Sequence, residues 1–321
     1  IIAVTRGTMR ACLVLIIASV IARSSGSGGG CDAAPCTGDA SNLLQLVGNV
    51  HLPYPNKEDP QLASERLIDD LQSTCHTVFL ATVFSSRNNP VHGGRVKPTV
   101  SYFEKYMRSI LTIPGGRVKA VVLHDSIPDN VTSPLTMADG SFSFVKVDTL
   151  SFPKHLSLVD IRFLMYEAQV KQHPEWSTVF MSDINDVRFF HNPCVLAERQ
   201  PDKVFVHSQE KERLSSSKYV PAQFKQLGGQ YYEWYQKMHD VDQTSTVLNS
   251  GVIGGTRQVV LDVLAKIRGV YEDPWFAESR GKRARCVDTA VVNYVLYKDF
   301  GTRIVTGYPL HGSWLHHENR T

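Results

Sequence analysis

Val179-Phe180-Met181 runs straight into Ser182-Asp183-Ile184-Asn185-Asp186, and an apolar run around Arg188 resumes at once. Pro174 precedes the stretch and Pro193 comes after it. A short apolar run bounded by turn signals fits a strand buried on both faces. When such a strand ends on two acids, it delivers them to an open edge. In open α/β sheets, ligands bind in the crevice beyond the carboxyl ends of the strands. Two carboxylates placed there repel each other unless a cation lies between them. A hard divalent ion, Mg²⁺ or Mn²⁺, takes oxygen ligands and is usually shared with substrate phosphates. Two readings of the stretch stand side by side: a metal–diphosphate site, or a solvated turn in which Asp183 caps the next few residues.

The rest of the chain alternates in the same manner. Thr77 to Phe84 is a strong buried strand, succeeded by polar Ser85-Ser86-Arg87-Asn88-Asn89-Pro90. Thr99 is placed to cap a helix carrying Phe103, Tyr106, Met107 and Ile110. Val118 to Leu123 is the next strand and ends at His124-Asp125; Phe142 to Val147 and Val204 to His207 are two more. Ser157-Leu158-Val159-Asp160 opens a helix as a capping box with Asp in the Glu position, and Ile161, Leu164, Met165 and Ala168 continue it. Thr256 opens a helix with Val260, Val263, Leu264 and Ile267 on one face and Gly269 at its end. Asp288 to Tyr297 is a final helix. Strands alternating with helices imply an α/β fold with a mostly parallel central sheet and right-handed crossovers.

Ahead of this region, Met9-Arg10 precedes the apolar run Ala11–Ala22, which falls short of the roughly 20 residues that a spanning helix needs. The pattern is that of a secretory signal peptide or short signal anchor over 1–23. Residues 24–56, rich in Gly, Ser and Pro, read as a flexible stem, and a helical face at Ser64, Leu67, Ile68 and Leu71 opens the globular part, 57–321. Cys31 and Cys36 suggest a small stem disulfide, and Asn130-Val131-Thr132 and Asn319-Arg320-Thr321 are glycosylation sequons. Together these features point to the secretory pathway, in the Golgi lumen or outside the cell, with possible membrane association through the apolar segment. With 321 residues, 42% hydrophobic, and a net charge of +3, the chain supports a sizeable core and shows no basic domain, so no nucleic-acid partner is expected.

The chain has no GxGxxG after its first strand, no GxxxxGK[ST], no GxSxG and no HExxH. The dinucleotide-binding, P-loop, hydrolase and zincin readings therefore lose support. Three stretches remain: Ser182-Asp183-Ile184-Asn185-Asp186; Leu248-Asn249-Ser250-Gly251-Val252-Ile253-Gly254-Gly255-Thr256; and Asp288-Thr289-Ala290-Val291-Val292-Asn293, with Gly307-Tyr308-Pro309-Leu310-His311-Gly312 further on. In this order they resemble GT-A-type glycosyltransferases, nearest to retaining members, over about residues 75 to 315. The resemblance implies a single GT-A (Rossmann-like) domain, a nucleotide-sugar donor such as a UDP- or GDP-sugar, a glycan or other hydroxyl acceptor, and Mn²⁺ or Mg²⁺ as cofactor.

It also implies roles, residue by residue. Asp183 matches the first acid of the family's Asp-x-Asp motif; Asn185 stands where the second should be, and Asp186 comes one residue late. With His311, which matches a late metal-binding histidine, these make the implied metal set. Asp288 and Asn249 are the implied catalytic pair. Thr82, Phe84, Arg87, Asp125, Arg162, Asp183, Gly251, Gly254, Arg283 and Arg285 are the implied donor-binding set. Each also has a plain reading. Asn249 to Gly255 can be a tight strand-to-helix turn, Asp288 a first-turn acid stabilised by the helix dipole, Arg162 a solvated helix charge and His311 a surface histidine.

Two further expectations come from the residues alone. Arg280, Lys282, Arg283 and Arg285 lie in a stretch, 269–286, that reads as a loop able to close over a diphosphate. Tyr231, Tyr232, Trp234 and Tyr235 offer flat faces to a sugar acceptor. A metal-dependent phosphotransferase or hydrolase, and a non-catalytic secreted binding module, stay open beside the transferase.

Overall fold

The computed structural model describes residues 76–86, 94–113, 117–185, 187–189, 192–279 and 286–306. All fall in one unit, Glu58–Thr321. The expected signal, stem, first helix and stem cysteines lie outside the described residues, as do Arg87, Asp186, His311 and the run 280–285.

Among the described residues, seven strands form one sheet in the order β3-β2-β1-β4-β6-β5-β7. They are β1 (His76–Val83), β2 (Arg117–His124), β3 (Phe142–Lys146), β4 (Thr178–Ser182), β5 (Val204–Arg213), β6 (Thr246–Thr256) and β7 (Ile304–Val305). The β1–β2, β1–β4, β2–β3 and β5–β7 pairs are parallel, whereas β6 runs antiparallel to both β4 and β5. The fold is therefore Rossmann-like α/β with a mostly parallel sheet, and β4, the strand of the acidic stretch, lies at its centre.

The central strands read as unbroken apolar runs because both sheet faces are covered. Val78, Leu80, Val179 and Met181 point to one face and pack on α3 (Leu158–Gln172), α7 (Arg257–Tyr271) and α9 (Asp288–Val295). Phe79, Ala81, Val83 and Phe180 point to the other, against Phe103, Tyr106 and Ile110 of α1 (Val100–Leu111) and Ala197 of α4 (Cys194–Arg199). The remaining helices in chain order are α2 (Asp129–Thr132), α5 (Val220–Leu227), α6 (Gly229–Val241) and α8 (Pro274–Ser279).

Several local expectations change. Thr99 and Thr256 precede their helices, but neither side chain caps. Thr256 Oγ1 instead donates to the Pro201 carbonyl at 2.8 Å. The helix expected to end at Gly269 continues to Tyr271, and part of the expected loop 269–286 is helical, in α7 and α8. The Ser157–Asp160 capping box forms, each side chain bonding the other's backbone N–H.

The stretch Asn249–Gly255 is not a turn into a helix but part of β6. Val206 of β5 pairs with Ile253, yet Ser208 pairs with Leu248. The β6 segment from Leu248 to Ile253 thus faces only the step from Val206 to Ser208, and Asn249, Ser250 and Gly251 bulge out of that ladder. Bulges of this kind re-aim side chains beside functional sites. Gly254 has a packing role: it pairs with Phe180 on one side and Phe205 on the other. A Cβ there would stand 2.3 Å from the Phe180 ring, so the space it vacates is taken by phenylalanine rather than left open for a sugar.

Candidate active site

β1 sends the chain outward to β2 and β3, and the chain returns to β4 on the other side of β1 before passing to β5. The carboxyl ends of β1 and β4 therefore flank a topological switch point, the usual ligand crevice of open α/β sheets. Asp183 comes directly after β4. Its N–H donates to the Gly251 carbonyl at 2.9 Å, which extends the β4–β6 pairing past the end of β4 and brings the β6 bulge to the same edge.

Arg162, on α3, joins the two acids. Its Nη1 donates to Asp183 Oδ1 at 2.5 Å and its Nη2 to Asp288 Oδ2 at 2.7 Å, and Nη2 also reaches the Ser250 carbonyl at 3.2 Å. The guanidinium is buried, as is Asp288, whereas the Asp183 side chain is 37% exposed. Burial would lower the Arg162 pKa, but the charges of Asp183 and Asp288 outweigh it and hold the group above its ordinary range. Arg162 Nε is buried without a hydrogen-bond partner among the described residues.

Asp288 is the first residue of α9, where the helix dipole favours a negative charge. Both its oxygens are engaged: Ser250 Oγ donates to Oδ2 at 2.7 Å, and Cys286 Sγ donates to Oδ1 at 2.9 Å. Burial, and then the charges of Asp288 and Asp160, push the Cys286 thiol up, so it remains a protonated donor. Asn293 bonds the Leu248 N–H and carbonyl from a fully buried position, locking α9 to β6 just ahead of the bulge. One α-helical turn beyond Arg162, Tyr166 places its hydroxyl 3.4 Å from Thr82 Oγ1. Burial raises that phenol and Arg162 partly offsets it, leaving it at about 12.

On the other side of the switch point lies an open cleft of ≈ 650 Å³, lined by Ser86, Asp125, Lys146, Val147, Asp148, Thr149 and Leu150. Asp125 lies just past β2 and accepts from the backbone N–H groups of Ser85 (2.8 Å) and Ser86 (3.2 Å), from Ser86 Oγ, and from Ser126 Oγ (3.2 Å). Burial raises its pKa, but these hydrogen bonds outweigh that and hold it below the ordinary carboxylate range.

Thr82, Arg162, Asp183, Gly251 and Asp288 thus gather at one crevice, with Asp125 beside it. Asn249 bonds the Gly251 N–H through its own Oδ1 at 2.6 Å, so that oxygen serves the bulge. Phe84 is half-buried against the core, and Gly254 is inside the sheet. The tyrosines expected to receive an acceptor mostly pack: Tyr231 and Tyr235 are buried, and Trp234 lies against Phe224 and Tyr294. Tyr232 and Trp234 are the half-buried members of the set. Of the implied metal ligands, Asp183 offers one partly exposed carboxylate and Asn185 is exposed, while Asp186 and His311 lie outside the described residues. Among the described residues, no group of three His, Cys, Asp or Glu is arranged to hold a metal ion. Three residues that the sequence did not single out complete the site: Ser250, Cys286 and Tyr166. Ser250 lay inside a stretch already marked, Cys286 stands two residues before Asp288, and Tyr166 is spaced from Arg162 at the i,i+4 interval that shares a helix face.

No family model and no curated protein matches this chain.

Proposed function

We propose that the protein is a glycosyltransferase of the GT-A type, moving a sugar from a nucleoside-diphosphate donor to a hydroxyl acceptor. One observation carries the proposal: two acids remote in sequence, Asp183 and Asp288, meet across Arg162 at the switch point of an α/β sheet. The motif order of the sequence adds to it. Asp183 and Asp288 converge on the guanidinium of Arg162, and Asp183 leaves a partly exposed carboxylate that suits a cation. A hard divalent ion commonly binds through one or two carboxylates plus substrate phosphates, and Asp183 fits that part, with Asn185 beside it. When bound, such an ion offsets charge on a diphosphate leaving group. Asp288, fixed by Arg162, Ser250 and Cys286, supplies a stationary negative charge toward which an oxocarbenium-like sugar would be drawn. The Asp125 cleft would lodge the nucleoside.

Entry into the secretory pathway belongs to the same proposal. Cys194 is disulfide-bonded, which suits an oxidising compartment. Among the described residues, no helix is long and apolar enough to cross a membrane. A binding module of the same fold is the second reading, favoured by the complete engagement of both Asp288 oxygens.

The test is donor turnover with UDP- and GDP-sugars, with and without Mn²⁺. Metal-dependent release of nucleotide is expected, and Asp183→Ala should abolish it while the circular dichroism stays native. A fully active Asp183→Ala enzyme refutes the proposal, and donor binding without turnover supports the module.

A further inference from the structure

The site is made of parts that come from distant places in the chain. Arg162 is on α3 and Asp288 opens α9, directly preceded by Cys286 and Val287. Something must hold the start of α3 and the approach to α9 in register, because Arg162 Nη2 meets Asp288 Oδ2 at 2.7 Å. Asp160 is a fully buried carboxylate two residues before Arg162. Its Oδ2 accepts from the Ser157 N–H at 3.1 Å and from Ser157 Oγ at 2.7 Å, which closes the capping box of α3. A capping box needs nothing more of it. Yet its Oδ1 accepts from the Val287 N–H at 3.1 Å, one residue before Asp288, and from the Tyr271 hydroxyl at 3.3 Å, at the end of α7.

We propose that Asp160 is the positioning residue of the site: one carboxylate caps α3 on one side and pins the Val287 backbone on the other, which sets Asp288 against Arg162. A carboxylate suits this task better than an amide or hydroxyl. It is all acceptor, so both oxygens can take several N–H and O–H donors at once. Hydrogen bonds to a charged acceptor are also shorter and stronger than neutral ones. Burying a charge is costly unless it is hydrogen-bonded, so a wholly buried acid away from solvent is placed for what it holds. The role of Asp288 rests on the proposed transferase, but the anchoring of Val287 can be read without any catalysis.

The reporter is Cys286, a free thiol next to Val287. In full-length protein, iodoacetamide labelling of Cys286 is quantified by peptide mapping in wild type, Asp160→Ala, Asp160→Asn and Ser157→Ala. Labelling of a half-buried thiol that is hydrogen-bonded to Asp288 is promoted by local opening. Burial, the Asp288 charge and then the Asp160 charge hold the Cys286 thiol up, so each rate is corrected for that variant's own thiolate fraction from its pH profile. So corrected, losing one charge-assisted hydrogen bond on Val287 should raise the open population, and so the rate, about tenfold. Ser157→Ala breaks the cap and leaves the Val287 bond, so its labelling should stay within about twofold of wild type. Asp160→Asn preserves the volume but keeps one oxygen able to accept from Val287, so should the alanine variant fail to fold it is read as a partial loss, with labelling about threefold above that of Ser157→Ala. Where donor turnover is measurable, the Asp160 variants should lower kcat about tenfold with donor KM nearly constant, as expected when geometry at the reacting centre is lost rather than binding. Equal labelling in the Asp160 and Ser157 variants would show that Asp160 is a helix cap alone and overturn the proposal. Absence of turnover in the wild type would count against the transferase, and the labelling ratio would still decide the role of Asp160.

Discussion

Asp125 and Asp183 occupy equivalent places, each just past the carboxyl end of a parallel strand, and they are held in opposite ways. Asp125 is bound by neutral donors, the amides and hydroxyls of Ser85, Ser86 and Ser126, beside an open cleft. Asp183 is bound by a buried guanidinium that it shares with Asp288. On the first side the acid organises two loops, with Lys146 lining the same cleft. On the second, charge is gathered out of water: Arg162 and Asp288 are buried, and Asp183 alone among them is well exposed. One half of the crevice thus has the character of a polar lodging and the other that of an electrostatic centre.

The largest effect should come from breaking the charged half. Arg162→Met removes the cation that bridges two acids, one of them buried, and an uncompensated buried charge costs about 3–5 kcal/mol. Chemical denaturation at neutral pH should show a loss of that size. A loss below about 1 kcal/mol, the range of surface ion pairs, would show that water reaches the clamp and that the two halves do not differ.

Asp288→Asn should come next. Arg162 keeps Asp183, and the amide keeps an oxygen for Cys286 or Ser250, so the loss is about 1–3 kcal/mol, the penalty of one disrupted buried polar contact. Donor turnover should nevertheless fall by a factor of about 100 or more if a fixed charge at this position stabilises the transition state. A variant that loses stability but keeps turnover would sharpen the comparison differently, making the charged half structural.

What could be read in advance was what is local. Strand runs such as Val78 to Val83 and Val179 to Met181 announce themselves because both sheet faces are covered. The Ser157–Asp160 box spans three residues and was legible for that reason. The direction of β6 was not, because antiparallel pairing with β4 and β5 depends on partners far away in the chain. Its glycines look like loop glycines, and only the cross-strand neighbours Phe180 and Phe205 explain Gly254. Arg162 reads as an ordinary helix charge until Asp288 is seen at its side. Tyr231 and Tyr235 look like a sugar platform by composition, but α6 turns them inward, Tyr235 stacking on Phe224 at 4.7 Å.

The smallest effect, and the one that discriminates best, belongs to Asp125. Its folded-state pKa is held below the unfolded value of about 3.9. A carboxyl with a depressed pKa contributes stability that is fully present above the unfolded pKa and is lost as pH falls through the folded one. Asp125→Asn should therefore lower stability at pH 7 by about 1 kcal/mol or less, since the group is half-exposed and its bonds are to neutral donors in reach of water. The gap between wild type and variant should shrink below about pH 4 and close once pH has fallen through the folded-state pKa, where the wild-type carboxyl is itself protonated and resembles the amide. Thermal melts of the two proteins across that range measure it, the expected gap at pH 7 being about 2–4 °C or less. A gap that stays constant from pH 7 to pH 2 would mean that the variant acts through shape rather than charge. A gap at pH 7 as large as that of Arg162→Met would mean that Asp125 is held by buried charge as well, and the division of the crevice into a polar half and a charged half would fail.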